Sequence, residues 1–411
     1  MRIEPGTYIA AAARSSAVLL LLLAGCSGGG AKEAKAPEGA LTVYMSVPAH
    51  GVEARAGQAA GAGAQLALSD AHGRAGERDV KLVRLDDSKP EGPTWDPSIV
   101  EANAKRAAQD PAAIAYIGEL DEGGSAISVP VTNDAGMVQV SPLDGLTTLT
   151  RNQPGAAFGT GPARYYPNGR RTFLRLVPTD ALQAEELIRW AHEQGVRRPV
   201  VIQDDQVFSR ALAQQVVIMA ERAGMTVTEI AEPGDDPAGF DDFALKVAQK
   251  RPDAVIYTGL GDAAAGPLLT ALKRALPGAR LFGSSALASA SPRPSLPDVQ
   301  LLAPLLPASE YGPRARRVLA HLKAPRVPAP RAEALYGYEA MRVVLDAIAA
   351  AGSEAGDRAT VARGALKARS RRSVIGDYGV LPTGEVSTAR FGAYRQSGSR
   401  LRYLGERVAR R

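Results

Sequence analysis

Four pairs of adjacent acids carry the residue types in this chain most able to do chemistry: Asp86-Asp87, Asp204-Asp205, Asp235-Asp236 and Asp241-Asp242. Two neighbouring carboxyls can divide general acid and base work, or hold a hard cation through their oxygens. The same residues also serve where strands end, because Asp accepts hydrogen bonds from turn and helix N-terminal amides. The first two pairs follow apolar runs, so capping is the better account and no catalytic role is assigned. Histidines at 50, 72, 192 and 321 show no metal-ligand spacing, and the single cysteine excludes an internal disulfide or a thiolate metal cluster. His50 sits in the turn Pro48-Ala49-His50-Gly51 and is expected at a cleft rim, as a solvated turn residue before a ligand contact. No GxSxG elbow is found at a strand end, and GxxxxGK[ST] and HExxH patterns are absent. Gly259-Leu260-Gly261 with Gly266 has the wrong spacing for a dinucleotide site and reads as a turn. This inventory calls for no enzyme activity, metal or cofactor.

The most informative stretch is IAYIGELDEGGSAISVPVTNDAGMVQVSPLDGLTTLT, residues 114–150. A buried strand ends at Gly118, and Asp121-Glu122-Gly123-Gly124-Ser125 opens a helix. The free amides and positive dipole end of such a helix suit an electron-rich ligand group. Helix capping alone also accounts for Asp121.

Positioning these residues requires a scaffold, and the hydrophobic pattern supplies one. Short β-branched runs at 42–46, 80–85, 113–117, 138–140, 172–176, 199–203, 226–230, 254–257 and 280–282 read as strands. Helical patterns lie near 55–72, 98–109, 124–135, 181–194, 209–223, 238–249 and 263–275, and a long one at 332–351 follows Pro325, Pro328 and Pro330. This alternation predicts an α/β protein with parallel sheets covered on both faces. Pro199-Val200-Val201-Ile202 and Ala254-Val255-Ile256-Tyr257 lack period-two alternation, as strands buried on both sides do. There are too many units for one open sheet, so two lobes with a cleft between them are expected. Residues 373–403 read as short strands with turns at 382–384 and 397–399.

The first 26 residues do not read as part of a fold. Arg2 and Arg14, the apolar run Ala17–Leu23 and the small residues Ala24-Gly25 have the layout of a secretory signal peptide. The apolar run is shorter than the about 20 residues a spanning helix needs. Residues 26–40 are rich in Gly, Ala, Lys, Glu and Pro and read as a flexible tether. With 411 residues, 45% hydrophobic and 22% charged, the composition is that of a folded protein of two or three domains. A formal net charge of +6, interleaved with acids, leaves no nucleic-acid footprint.

Leu23-Ala24-Gly25-Cys26 resembles the lipobox of bacterial lipoproteins, which implies cleavage after residue 25, acylation of Cys26 and a membrane anchor outside the cytoplasm. The pattern Tyr116-Ile117-Gly118, Gly123-Gly124-Ser125-Ala126, Asn133-Asp134-Ala135-Gly136 and Val140-Ser141-Pro142 resembles leucine/isoleucine/valine-binding proteins. Those are the type I periplasmic solute-binding proteins of branched-chain amino-acid ABC importers. Leu85-Asp86-Asp87-Ser88, Trp95-Asp96-Pro97, residues 175–180, 204–208 and 336–341, and Ser373-Val374-Ile375-Gly376 fit the same pattern, in order, over roughly 41–405. The resemblance implies a periplasmic binding protein type I fold: two Rossmann-like lobes joined by a three-stranded hinge, with a ligand cleft between them. Crossovers are expected near 178, 305 and 390, giving lobe 1 as 41–178 with 305–390 and lobe 2 as 179–304 with 391–411. It also implies a small-molecule solute and ABC permease subunits as partners. A ligand-sensing or scaffold lipoprotein of the same fold is the alternative.

At the positions that hold an amino-acid ligand in the family, this sequence departs from the pattern. Glu122 and Gly145 stand where first-lobe Ser and Thr are usual, Leu260 where a Tyr is, and Ser285 where a Glu is. Phe208 keeps the aromatic character of its position. Asp121, Glu122, Gly124, Ser125, Asp144, Gly145, Phe208, Leu260 and Ser285 are the expected ligand-binding residues. With Asp121, Glu122 and Asp144 on one rim, a ligand carboxylate meets like charge, so a neutral or cationic solute is expected.

Overall fold

The computed structural model describes residues 39–92, 94–153, 161–234, 236–322 and 331–409. The leader, Cys26, most of the tether, Asp235, Pro325, Pro328 and Pro330 lie outside them. Chain contacts divide the protein into residues 1–32 and 33–411, and the description below concerns the second unit.

The chain first builds β1 (Leu41–Val47), α1 (Ala54–Asp70), β2 (Arg74–Ala75), β3 (Arg78–Asp86), α2 (Pro97–Gln109), β4 (Ala113–Ile117), α3 (Glu122–Asp134), β5 (Val138–Ser141) and β6 (Phe173–Arg175). It continues with α4 (Asp180–Glu193), β7 (Pro199–Ile202), α5 (Val207–Arg222), β8 (Ile230–Ala231), α6 (Phe240–Gln249) and β9 (Ala254–Tyr257). Then come α7 (Ala265–Ala275), β10 (Arg280–Gly283), α8 (Ser285–Ser289) and β11 (Leu296–Ala303). Three helices follow, α9 (Pro313–His321), α10 (Glu333–Ala351) and α11 (Arg358–Leu366), before β12 (Arg390–Gly398) and β13 (Arg400–Val408).

Two sheets result, ordered β2-β3-β1-β4-β5-β6 and β13-β12-β11-β10-β9-β7-β8. Within each, five strands run parallel in the same doubly wound order: β3-β1-β4-β5-β6 and β8-β7-β9-β10-β11. β1, β4, β7 and β9 are buried along their whole length, which is why their sequences are continuously apolar. The chain passes from the first sheet to the second between β6 and β7. It returns after β11, since α9, α10 and α11 pack into the core of the first sheet, and crosses again into β12. No helix among the described residues is long and apolar enough to cross a membrane.

Local chemistry sets the helix starts. Asp96 caps α2, accepting from the Ser98 and Ile99 amides at 3.0 and 3.2 Å, with Pro97 in the first helical position. Thr179 caps α4 through the Leu182 amide.

Several elements differ from the sequence expectation. β11 was not anticipated, because Leu296-Pro297-Asp298 reads as a loop, yet its Leu301 and Leu302 are fully buried. The short α8 and the helices α9 and α11 were also missed: α8 is five residues long, α9 is rich in arginine with only Ala315, Val318 and Leu319 buried, and α11 is built mostly of small residues. The strand expected at 226–230 shrinks to Ile230–Ala231 at the sheet edge, although the Thr226 and Thr228 amides still bond Arg197 and Pro199 carbonyls at 2.9 and 2.8 Å. The tail is a hairpin of two nine-residue strands, and residues 373–389 form only isolated bridges.

Helix α10 lies backbone to backbone on α1, and glycine makes that approach possible. A Cβ at Gly337 would stand 1.9 Å from the Ala60 carbonyl oxygen, and one at Gly63 would stand 1.8 Å from that of Ala334. Gly337→Ala therefore forces the helices apart, and urea unfolding should show a loss of about 1–3 kcal/mol or more. Gly364→Ala in α11, where the nearest atoms are 3.7 Å away, should be neutral or slightly stabilising. Equal midpoints for the two variants would refute this account of the helix pair.

Candidate functional site: a cavity between the two sheets

In doubly wound sheets, the loops beyond the carboxyl ends of the strands diverge at the point where strand order reverses, and a crevice opens there. Here that point falls between β1 and β4 in one sheet and between β7 and β9 in the other. The segments after those four strands supply Glu53, Asp121, Phe208 in the first turn of α5, and Leu260, and all four line one cavity of about 440 Å³. Leu120 and Leu143 extend its first-sheet wall, while Ser285, Ala288 and Arg293 extend the other. Its back is formed by residues 303–308, Arg331, Glu333 and the hairpin side chains Tyr394, Leu401 and Tyr403.

Of the residues expected from sequence, Asp121, Phe208, Leu260 and Ser285 meet around this cavity. Leu260 is held there by Asp204, whose Oδ2 accepts the Leu260 amide at 2.7 Å while Oδ1 accepts that of Gln206 at 3.1 Å. Gly124, Ser125, Asp144 and Gly145 are not on the wall. Gly124 lies against Glu119, whose Cγ would be 2.9 Å from an added Cβ. The Ser125 side chain is fully buried and its hydroxyl accepts the Glu119 amide at 3.3 Å, and the Gly145 carbonyl accepts the Asp180 amide at 2.8 Å. Asp144 corrects the expected acidic rim: it is fully buried, 3.8 Å from the equally buried Arg175. Burial pushes its carboxyl up to about 6 despite that arginine. Glu122 is the first residue of α3, and its side chain lies outside the described atoms. His50 packs 3.4 Å from Asp86 and does not line the cavity.

The acids behave differently from the expected strand-end caps. Asp86 is one, accepting the Ala49 and Ser88 amides at 3.0 and 2.9 Å. Asp87 instead turns inward, 1% exposed, beside Glu119, also 1% exposed, and accepts from the Ser46 hydroxyl at 3.5 Å. Tyr116 donates to Glu119 at 2.7 Å from the other side. Burial first, then the neighbouring Glu119 charge, pushes Asp87 up to about 10, and burial pushes Glu119 up to about 7. In front of this pair stand Glu53, accepting from the Thr94 hydroxyl at 2.7 Å, and Asp121, which caps α3 through the Gly123 amide at 2.8 Å. Burial raises both, and Glu53 raises Asp121 further, against the pull of the Gly123 and Gly124 amides. None of the four carboxyls forms an ion pair with a lysine or arginine among the described residues. Nor do His, Cys, Asp or Glu side chains there form a group of three or more able to hold a metal ion.

Glu53, Glu119 and Arg293 were missed by the sequence reading. The first two had a signal: each lies between a strand bordering the reversal point and the next helix, where an acid is either a cap or part of a site. Arg293, in the loop between α8 and β11, had none.

The sequence matches the periplasmic binding protein family over residues 41–390. The chain belongs to that family. The resemblance drawn from its motifs is thereby borne out, and so are the α/β class and the type I binding-protein fold. A solute-binding protein of an ABC transporter from R. palustris, solved with benzoate, superposes with a TM-score of 0.71 at 17% identity, covering 90% of this chain and 97% of that one. A leucine-binding protein from Thermotoga maritima gives 0.70 at 18% identity, covering 90% and 99%. A putative branched-chain amino acid ABC transporter protein from Rhodospirillum rubrum gives 0.61 at 21%, covering 89% and 100%. No curated protein sequence matches the chain.

The Glu119 carboxyl makes a pH prediction for this binding protein. Its folded value, about 7, lies above the ordinary 4.5, so its contribution to stability is complete below pH 4.5 and is lost as pH rises to 7. Glu119→Gln removes that loss, and the variant should gain on the parent between pH 4.5 and 7 by up to about 3 kcal/mol. Parallel stability curves in urea across that range would show that Glu119 is not the group holding the proton.

Proposed function

We propose that this binding protein captures a small polar solute in the cavity between the sheets and delivers it to an ABC permease at the outer face of the membrane. The observation that carries the reading is the shared wall: Glu53 and Asp121 come from loops of the first sheet, Phe208, Leu260 and Ser285 from the second. We take the lobes as 41–178 with 305–390 and 179–304 with 391–411, linked by the three chain passages. A solute touching both walls makes more contacts when the lobes are together, so it shifts the population toward the closed form. The permease then reads closure, and no bond in the solute is made or broken. Proteins of like fold solved with benzoate and leucine support a small organic ligand.

Cys26 is proposed as the lipidated residue, with residues 26–40 as the tether. Multiple acyl chains on one cysteine anchor firmly, at about 0.8 kcal/mol per buried methylene. Cys26→Ser should move the protein from the membrane fraction into the soluble envelope fraction. Continued membrane association would point to another mode of attachment.

The reading is tested by thermal unfolding of the chain from residue 31 onward against aliphatic and basic amino acids, amides, urea, polyamines and benzoates. A ligand at a thousand times its Kd adds roughly 4 kcal/mol to the folded state, which raises Tm by several degrees. A shift with one chemical class, abolished by Leu260→Arg in the cavity wall, is the expected result. A flat response across the panel would favour a scaffold of the same fold.

A further inference from the structure

The cavity-wall charges that lack an ion pair are segregated between the lobes. The first lobe contributes two such carboxyls, Glu53 and Asp121, which no described lysine or arginine pairs, while its Arg331 and Glu333 are paired with each other. The second contributes Arg293, from the loop between β10 and β11. Among the described residues the Arg293 guanidinium makes no hydrogen bond or ion pair. Its neighbour Arg331 is already engaged, with Nε 3.1 Å from Glu333 and Nη2 3.3 Å from the Ser289 carbonyl. The two groups have separate electrostatic surroundings: Asp121 responds to Glu53 and Asp144, and Arg293 to Arg331, Glu333 and Tyr394. The rest of the wall is largely apolar, with Leu120, Leu143, Phe208, Leu260 and Leu305.

Resting on the solute-capture reading, we propose that the solute is a dipolar chain molecule, with a protonated nitrogen docked on Glu53 and Asp121 and a carboxylate docked on Arg293. Each charge then belongs to a different lobe, so only a molecule carrying both gains from closure at both ends. An α-amino acid, with its ammonium and carboxylate on one carbon, offers both charges to a single wall. There its carboxylate meets Asp121, while Arg293 stays unmatched. A guanidinium recognises a carboxylate through a planar pair of N–H donors, and a buried carboxyl pair favours an ammonium in the same charge-assisted way. The four acids behind the nitrogen site are held partly protonated by burial and by one another. Docking of a cation therefore ionises Glu53 or Asp121 and releases a proton, the groups facing them being Thr94, Asp87, Glu119, Asp144 and the α3 amides.

The test is titration calorimetry of the chain from residue 31 onward with 6-aminohexanoate, hexylamine, hexanoate, leucine and benzoate, in two buffers of different ionisation enthalpy. The expected result is 6-aminohexanoate binding at least tenfold tighter than either single-charge analogue, with a buffer-dependent heat that reports proton release. Arg293→Gln should bring its affinity down to that of hexylamine, and Arg293→Lys should restore part of the difference. Glu53→Gln combined with Asp121→Asn should abolish the buffer dependence. Variants are compared only where their unfolding midpoints match the parent. Binding of leucine or benzoate with no response to 6-aminohexanoate overturns the dipolar assignment and leaves solute capture standing. Silence with all five probes counts against both.

Discussion

Four carboxyl groups crowd the ends of three adjacent parallel strands, β1, β3 and β4, without a cation among them. Glu53, Asp87, Glu119 and Asp121 cannot all be ionised at once, because each charge raises the cost of the next in a space that burial has already dried. Burial holds the inner two toward their protonated forms, the Glu119 charge raises Asp87 further, and Tyr116 donates to Glu119 from the other side. The outer two are settled only in part, by one hydroxyl and the first amides of α3. Residual demand for positive charge therefore faces the cavity. The geometry of the first-lobe wall follows from this arrangement, since Gly123 and Gly124 must lack side chains for α3 to approach Trp95 and Glu119.

A second buried charge in the same lobe is handled in the opposite way. Arg175 in β6 is fully buried, yet its guanidinium donates to the Asp144 and Leu146 carbonyls at 3.0 and 2.6 Å and stands near the Asp144 carboxylate. These bonds fix the loop after β5 at the point where the chain leaves the first sheet. The Asp180 amide on the Gly145 carbonyl and the Ala181 amide on the Thr147 hydroxyl tie the start of α4 to that loop. Leu143, which lines the cavity, is thereby positioned by residues that never touch a ligand. Arg175 thereby ties down the loop beside the passage point, and the acids nearer the cavity lie outside this network.

Much of this was legible in the sequence because strand ends are. Apolar β-branched runs located β1, β4, β7 and β9, and the residues just beyond them had to be at the crevice in any doubly wound sheet. The family resemblance named Asp121, Phe208, Leu260 and Ser285, and all four line the cavity. Depth was not legible. Asp144 follows a strand as Asp121 does, but Arg175, far along the chain, supplies the partner that draws it into the core. Asp87 and Asp86 are adjacent and of one type; the pleat sends one to a turn and the other inward to Glu119. Gly124 and Ser125 match the family motif and Gly145 departs from it, and the atoms of all three serve packing and loop bonds. Arg293 had no signal, since its loop joins α8 to β11, a strand hidden by Pro297.

The charge pattern of the wall also bears on how the family's frame admits different ligands. Strand-end loops fix where a ligand sits, and their side chains decide only its charge and shape. Glu122, which stands where the family resemblance leads one to expect a Ser, leaves the start of α3 intact, because Asp121 before it caps the helix through the Gly123 amide. The change is tolerated structurally, and it reverses the sign of what the helix end attracts. A carboxylate excluded from that end needs another cation, and the second lobe holds an uncommitted one in Arg293. Separating the two charges of a ligand across the cleft also makes closure depend on ligand length, a selectivity that a single-wall site cannot provide.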